Sequence, residues 1–352
     1  MSTVVNPGAL QCPVPLEAND RVQLGHGSGG KLSAQLVARH FLPHFGNPAL
    51  AQLADASVVP VPGGEIAIST DSFVVQPLEF PGGNIGSLAV HGTLNDVLMM
   101  GARPICLTAA FVLEEGLSLA VLDRVIAEMA RASREAGVPI VAGDTKVVER
   151  GKADGMYINT TGLGAIDPMF RPGPARAAPG DAILVSGPIA RHGMAIMAAR
   201  EGLSFESAIT SDSACLMPLV NALREYDIDV HVLRDPTRGG VASALNEIAL
   251  ASGVGVEIVE SALPVPGDVR AACEMLGLDP LYVANEGVLV AFVPEAQAAD
   301  ALLTLRSHAL GADAVRIGTV VAAHPRLVAL RTALGGTRVV DLLPGDQLPR
   351  IC

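Results

Sequence analysis

The stretch STDSFVVQPLEFPGGNIGSLAVHGTLNDVLMMGARP, residues 69–104, decides the fold of this chain. It begins at the end of GEIAIST (64–70), which is typical of a β-strand, and it contains NIGSLAVHGTLNDVLMMGA (84–102), which predicts a helix. A strand that leads into a helix in this way is the unit from which α/β and α+β domains are built.

Polar residues form one stripe along the predicted helix. Ser87, His91 and Asn95 recur at every fourth position, and Asp96 lies about 100° further round the helix axis. The stripe indicates that these side chains point towards one specific place. The eight histidines include no HExxH motif, and we interpret them as surface or hydrogen-bonded core residues.

Strands and helices alternate on both sides of a segment rich in proline and glycine, DPMFRPGPARAAPGD. Before it, VPIVAG predicts a strand, and SLAVLDRVIAEMARASREAG predicts a helix capped by Ser118 and ended by Gly137. After it, the segments DAILVSG, GVEIVES and GVLVAFV predict strands, and HGMAIMAAREG and GGVASALNEIALASG predict helices. We therefore predict two α/β or α+β domains with these boundaries: 1–166, a linker at 167–181, 182–343, and a tail at 344–352.

Composition excludes several classes of function. The net charge of -12 repels phosphate backbones, and with no Trp and three Tyr there is no stacking surface for single strands, so nucleic acid is not an expected partner. Neither an export signal nor a long apolar run is present, which predicts a cytoplasmic protein without a membrane span. The five Cys form no CxxC pair, which argues against structural zinc and disulfides.

The segment GHGSGGK (25–31) lies between a predicted strand, DRVQL, and a predicted helix, KLSAQLVARHFL. Exposed N–H groups at such a helix start favour phosphate. The segment satisfies GxGxxG, but no clear βαβ unit follows it, and it satisfies GxxxxGK, but Leu32 stands where a hydroxyl should bind magnesium. A dinucleotide site, a phosphate loop and a turn without ligand all remain open from this segment alone.

Acidic residues at the ends of predicted elements indicate a divalent metal. Only 17% of the residues are charged, so a set of carboxylates at such positions suggests Mg²⁺ held beside nucleotide phosphates. The set is Asp55, Asp71, Asp96, Asp144 and Asp235.

The chain ends in PRIC, with a thiol on the last residue, Cys352. Pro344 and Pro349 favour an extended backbone, and the nine residues from Pro344 could span about 30 Å. A mobile tail of this length could carry its thiol into a distant site.

The chain is similar to a known family in six segments: GSGGK, the opening stretch, VPIVAGDTKVVE, DPTRGGVASALNEIA, VANEG and the terminal PRIC. It resembles the ATP-binding superfamily of aminoimidazole ribonucleotide synthetase and, within it, the HypE family of hydrogenase maturation proteins. One departure is Arg191, where an acidic residue is expected. The resemblance implies a two-domain fold, each domain a mixed sheet with packed helices, in which the N-terminal domain binds ATP and pairs with a second copy.

The activity that this resemblance implies is ATP-dependent dehydration of a carboxamide on Cys352 to a thiocyanate, a source of cyanide for the iron of [NiFe]-hydrogenase. Implied partners are a HypF-like carbamoyltransferase and a HypC–HypD-like iron scaffold. The implied catalytic residues are Cys352, Lys146 and Glu286. The expected nucleotide ligands are Gly27, Ser28, Gly29, Gly30, Lys31, Asp71, Asn95, Asp144 and Asp235, and the expected metal ligands are Asp55, Asp71, Asp96 and Asp144. The alternatives are a small-molecule kinase or synthetase of the same superfamily, selenophosphate synthetase-like or thiamine-monophosphate kinase-like, and a nucleotide-binding scaffold without catalysis.

Overall fold

A computed structural model describes residues 30–45, 50–202, 209–343, 348 and 350–352. The predictions for the strand DRVQL, for Gly27, Ser28 and Gly29 and for most of the tail lie outside these residues.

The first half of the described chain forms a five-stranded sheet of order β1-β2-β7-β5-β6. Helices α3 and α4 pack against each other, and their buried apolar side chains join those of the sheet in one core. The strands are β1 (Ser57–Val61), β2 (Gly64–Phe73), β5 (Ala102–Glu114), β6 (Ile140–Val148) and β7 (Met156–Ile166), with α3 at Ile85–Met99 and α4 at Leu119–Ala136. A hairpin of β3 (Glu79–Phe80) and β4 (Gly83–Asn84) leads into α3.

The ends of α3 and α4 are set by local chemistry. Asn84 accepts hydrogen bonds from the N–H groups of Gly86 and Ser87, and the Ser87 hydroxyl accepts one from Asn84 N, which forms a capping box at the start of α3. Helix α4 ends at Gly137, whose φ of 67° is a left-handed conformation that glycine adopts at little cost. The predicted helix at 84–102 is confirmed but shorter, because the chain from Ala102 enters β5.

The second half forms a seven-stranded sheet of order β14-β13-β10-β12-β8-β11-β9. Apolar side chains of α7 fill one face, and those of α6 and α9 fill part of the other. The strands are β8 (Asp181–Val185), β9 (Val232–Arg234), β10 (Gly255–Val259), β11 (Val290–Pro294), β12 (Val315–Val321), β13 (Val328–Arg331) and β14 (Thr337–Val340). The helices are α5 (Arg191–Glu201), α6 (Met217–Glu225), α7 (Gly240–Ser252), α8 (Gly267–Leu276) and α9 (Ala298–Arg306).

The segment KLSAQLVARHFL is helical, as predicted, but not regular. It comprises α1 (Lys31–Leu36), a wider π-helical turn at Val37–Phe41 and α2 (Leu42–Phe45). Both sheets combine parallel and antiparallel strands, which confirms the predicted mixed α/β class. Across the described residues, no helix combines the length and the apolar character that a membrane crossing requires.

Candidate functional site

Three carboxylates converge where the two halves of the chain meet. Asp55 precedes β1, Asp96 lies in the last turn of α3, and Asp235 directly follows β9. One oxygen from each of the three lies within 4.8 Å of the others. We call Asp55, Asp96 and Asp235 the carboxylate cluster.

The surroundings of the cluster raise the pKa values of its three carboxyl groups. Burial, aided by the charge of Asp71, raises the pKa of Asp96 well above its ordinary value, and burial raises the pKa of Asp235 to about 6. Burial also raises the pKa of Asp55, although the Arg234 guanidinium lies 2.7 Å away and opposes the rise. Oδ2 of Asp235 is buried and has no hydrogen-bond partner within the described chain. Hard oxygen donors with unsatisfied charge fit Mg²⁺, so the residues match the metal that the sequence predicts.

Asp71 lies beside the cluster on β2. Its Oδ2 accepts a hydrogen bond of 3.4 Å from the Thr93 hydroxyl, and Ser69, two residues before it, donates a bond of 2.6 Å to Oδ2 of Asp96. The strand and helix of the opening stretch therefore bring their acidic residues together.

One predicted metal ligand, Asp144, lies apart from the cluster within a single chain. Asp144 lies on β6, which pairs only with β5 among the described strands and forms the edge of its sheet. Its side chain is 63% exposed and pairs with Lys146 at 2.6 Å, and the Lys146 side chain is 68% exposed. Within one chain the third carboxylate of the cluster is Asp235, and the role of Asp144 as a metal ligand stays a prediction.

Glu286 lies in a buried position between the halves of the chain. Burial raises its pKa well above its ordinary value, and the charges of Asp235 and Asp212 add to the rise. Its Oε1 has no hydrogen-bond partner among the described residues. A buried carboxylate with a raised pKa is a stronger base than an exposed one, which suits it to proton transfer.

Asp212 is a residue that the sequence analysis missed. Its Oδ2 accepts hydrogen bonds from the N–H groups of Glu286 (3.2 Å) and Gly287 (3.1 Å), so it fixes the backbone that carries Glu286. The only available signal was the polar segment TSDS around it, which has no periodicity and no motif.

Asn95 connects the helix of the opening stretch to the same region. Its side chain donates to the carbonyls of Ala214 (3.0 Å) and Glu286 (3.4 Å) and accepts from Leu216 N (2.9 Å). On the same stripe, His91 Nδ1 lies 3.0 Å from the Ser213 hydroxyl. His91 and Asn95 of the predicted stripe therefore face the segment 213–216, where backbone groups engage the Asn95 amide, whereas Ser87 belongs to the capping box with Asn84.

The C-terminal end of the chain enters this region. Cys352 O accepts a hydrogen bond of 3.1 Å from Val74 N, which follows β2, and Ile351 is buried. The negative charge of Cys352 is the largest cause of the raised pKa of Arg238, with Asp71 and Glu286 contributing. Lys31 lies near the base of the tail, where its Nζ pairs with Asp341 at 2.6 Å and its N–H donates to Leu343 O.

Comparisons with known proteins define the class. The family described as AIR synthase related protein matches with its N-terminal domain over residues 53–166 and its C-terminal domain over residues 178–329. The chain is therefore a two-domain protein of the AIR synthase-related class. A thiamine monophosphate kinase structure from Aquifex aeolicus, at 19% identity and a TM-score of 0.58, shares the fold alone.

Nearer relatives define the family within that class. The carbamoyl dehydratase HypE of Azotobacter vinelandii is 53% identical over 95% of this chain and 98% of its own length, and that of Cupriavidus necator is 52% identical over the whole of both. A HypE structure in complex with ATP superposes with a TM-score of 0.80 at 52% identity, covering 93% of this chain and 98% of that one. A structure of a HypE–HypF complex gives 0.83 at 47% identity over 88% of this chain and 99% of that one. The chain belongs to the HypE family.

Proposed function

We propose that this protein is a carbamoyl dehydratase that uses ATP to convert a carboxamide on its own Cys352 into a thiocyanate, for the iron of a [NiFe]-hydrogenase. The observation that carries the proposal is the position of the C-terminal end, held between the two halves of the chain with Val74 on one side and Arg238 nearby. The family membership agrees with this reading over a small-molecule kinase, for which a docked terminal thiol has no use.

The reaction balances in two steps. The carbonyl oxygen of the S-carboxamide attacks the terminal phosphorus of ATP, ADP leaves, and the oxygen becomes a phosphate ester on an S–C=N group. Loss of both nitrogen protons and of phosphate then gives S–C≡N. The carbonyl oxygen leaves as part of the phosphate, so the carboxamide loses the elements of one water molecule. Phosphorylation is needed because an oxide-like group is otherwise too poor a leaving group.

Glu286 is the residue of the described chain best suited to take a proton from the nitrogen. Its raised pKa gives it affinity for a proton, and Asp212 holds its backbone in place. Arg238 offers a fixed positive charge beside Cys352, where negative charge develops on oxygen during the transfer.

The carboxylate cluster is the proposed Mg²⁺ site. Asp55, Asp96 and Asp235 would hold the ion, which supplies charge neutralisation to the triphosphate. The other proposed nucleotide ligands are those that the sequence predicts, from Gly27 to Lys31 with Asp71, Asp144 and Asp235. Asn95, also predicted as a ligand, is proposed instead as part of the framework, because its amide already binds backbone groups. The structure adds one condition, because Lys31 must exchange Asp341 for phosphate.

We also propose a homodimer that pairs through the N-terminal sheet. Strand β6 has an unpaired edge in the described chain and exposes Val141 (60%) and Val147 (68%). Asp144 and Lys146, the predicted site residues that lie outside the single-chain site, are on this same strand. We therefore propose that Asp144 and Lys146 act together with a second copy of the chain. Val147→Glu places a charge on the exposed edge strand, so the molar mass from light scattering should be that of a monomer.

The remaining proposals concern domains and partners. We propose an N-terminal domain at 1–166 for ATP and dimerisation, a linker at 167–181, a C-terminal domain at 182–343 and a mobile tail at 344–352. A HypF-like carbamoyltransferase would load Cys352, and a HypC–HypD-like complex would accept the cyanide, in the cytoplasm. The solved HypE–HypF complex supports the first partner.

Intact-protein mass spectrometry tests the function. Incubation with the carbamoyltransferase, carbamoyl phosphate and ATP should add about 43 Da, and Mg-ATP should then remove about 18 Da from the purified carbamoylated chain. Cys352→Ser should show neither change, while Cys106→Ser should behave as the wild type. ATP turnover that persists in Cys352→Ser would contradict the proposal and point to a free small-molecule substrate.

A further inference from the structure

Arg200, at the end of α5, joins the tail to the N-terminal domain. Its Nε and Nη2 donate to Gln76 O at 3.0 and 2.7 Å, and its Nη2 also donates to Arg350 O at 2.7 Å. Gln76 N lies 3.4 Å from the same Arg350 carbonyl. One guanidinium thus binds the main chain on both sides of the junction.

His192, two turns earlier on α5, binds the next carbonyl of the tail. Its Nε2 lies 2.9 Å from Ile351 O, which can only accept, so Nε2 carries the proton and Nδ1 accepts from the Ser211 hydroxyl at 2.8 Å. The ring is fully buried, and burial lowers its pKa to about 4. The imidazole is therefore neutral at physiological pH and keeps this pair of bonds.

The same helix face is shaped for the tail. A Cβ on Gly193 would lie 2.6 Å from Val283 Cγ1 and 3.4 Å from Leu348 Cδ1, so the glycine permits the close approach of both. Gly193 N also donates to Ala284 O at 3.1 Å. Helix α5 therefore contacts the tail and the segment that leads to Glu286.

Arg350 adopts a conformation that depends on these contacts. Its φ of 57° lies in the left-handed region, which costs a non-glycine residue about 1 kcal/mol or more. The side chain compensates by donating from Nε to Val74 O at 3.2 Å and by pairing with Asp154. Without these contacts nothing would offset the cost of the left-handed conformation at Arg350.

We propose that α5 is a latch for the C-terminal tail, in which Arg200 and His192 are positioning residues that bind the carbonyls of Arg350 and Ile351. These bonds hold Cys352 at the site that contains Arg238 and Glu286, which we call the inner site. Opening the latch releases the thiol to the outer solution, and closing it returns the loaded thiol to the site. The latch itself is independent of the reaction, whereas its effect on dehydration rests on the proposed function.

Thiol accessibility tests the latch on the full chain without ATP or partners. The rate of Cys352 alkylation by iodoacetamide is followed by mass spectrometry of the Asp-N peptide Asp346–Cys352, with the peptide of buried Cys273 as internal reference. Arg200→Ala should raise the rate about tenfold, because a charge-assisted hydrogen bond to the tail is lost. Arg200→Lys should raise it less, because lysine keeps the charge but not the fork.

Arg191→Ala is the matched control, since Arg191 begins the same helix but donates to the Thr210 hydroxyl within the C-terminal domain. Its alkylation rate should equal that of the wild type. His192→Gln is a second variant, which tests the bond to Ile351 O. Glutamine keeps a donor and an acceptor but lacks the rigid ring that directs Nε2 at this carbonyl, so the variant should also raise the alkylation rate of Cys352. Equal Cys352 rates in wild type, Arg200→Ala and His192→Gln would overturn the latch.

The carbamoylated chain gives the functional readout. In Arg200→Ala we expect a lower first-order rate of dehydration with an unchanged KM for ATP, and carbamoylation at least as fast as in the wild type. A wild type that never dehydrates its carboxamide would refute the proposed function, and the alkylation result would still decide the latch.

Discussion

Replacing Asn95 by alanine separates two roles for this residue, a nucleotide ligand and a structural connection. The change removes two hydrogen bonds donated to the Ala214 and Glu286 carbonyls and one accepted from Leu216 N. Glu286 O keeps a donor in Ala214 N, but Leu216 is fully buried and its N–H is left without a partner. With about 1–3 kcal/mol for each buried group left unsatisfied, the free energy of unfolding should fall by about 3 kcal/mol.

Urea denaturation measures this loss. Far-UV circular dichroism is the suitable signal because the chain contains no Trp. Asn246→Ala is the matched control: Asn246 is half-buried and donates to Ala242 O and Val340 O, away from the site, so its loss should cost about 1 kcal/mol. Binding of Mg-ATP to folded Asn95→Ala, measured by calorimetry, should remain within about threefold of the wild type.

The opposite result would refute the reasoning. If Asn95→Ala unfolds with the same free energy as the wild type but loses ATP binding, the amide contacts nucleotide and its bonds to Ala214 and Leu216 contribute nothing of note. If stability falls while ATP binding is kept, Asn95 belongs to the framework that places Glu286.

Three further predictions concern charge and packing. Asp96→Asn keeps an acceptor for Ser69 but removes a carboxylate. Because burial raises the pKa of Asp96, this carboxyl group favours the fold only at low pH, so without Mg²⁺ the variant should be more stable than the wild type at pH 8, and the difference should vanish towards pH 4. Added Mg²⁺ should raise the melting temperature of the wild type only. Burial lowers the pKa of His91 from 6.5 to about 4. The neutral imidazole therefore contributes fully to the free energy of unfolding above pH 6.5, and this contribution is lost as the pH falls to 4. In urea titrations, the free energy of unfolding of the wild type relative to His91→Asn should drop by about 3 kcal/mol over that range. Gly193→Ala forces a methyl against Val283, which should lower the melting temperature by about 2–6 °C and expose the Arg350–Ile351 bond to trypsin; an unchanged melting curve would contradict the close packing.

Local patterns were sufficient for the elements that the sequence predicted. The helices around Asn84 and Gly137 follow from caps and turns that act within a few residues. Strands β1, β5, β7, β9 and β12–β14 and helices α6, α8 and α9 were not among the predicted elements. The pairing of β2 with β7 joins residues about ninety positions apart, so the order and register of the sheet are not local properties of the sequence. No local pattern indicates that β6 is an edge strand, so the exposed position of Asp144 within one chain could not be predicted.

Side-chain chemistry predicted the acidic residues of the site, but not their supports. Asp55, Asp96 and Asp235 could be selected because carboxylates at element ends are informative in a chain with few charges. Asp212 accepts hydrogen bonds from the backbone N–H groups of residues 286 and 287. The sequence around position 212 does not indicate such a contact. The same holds for Arg200, whose partners are carbonyls.

The choice of carbonyls as latch partners has a consequence for the reaction cycle. Arg200 and His192 bind the main-chain carbonyls of Arg350 and Ile351, and modification of the Cys352 sulfur leaves these carbonyls chemically unchanged. The free energy of those hydrogen bonds is therefore the same whether Cys352 carries a thiol, a carboxamide or a thiocyanate. A difference in tail position between these states must then come from the inner site, where Glu286 and Arg238 meet the modified sulfur. If the latch is neutral in this way, Arg200→Ala should raise the alkylation or trypsin accessibility of the tail by the same factor in the unmodified and carbamoylated chains. The Arg350–Ile351 bond can be assayed in both states. Unequal factors would mean that the latch itself senses the modification.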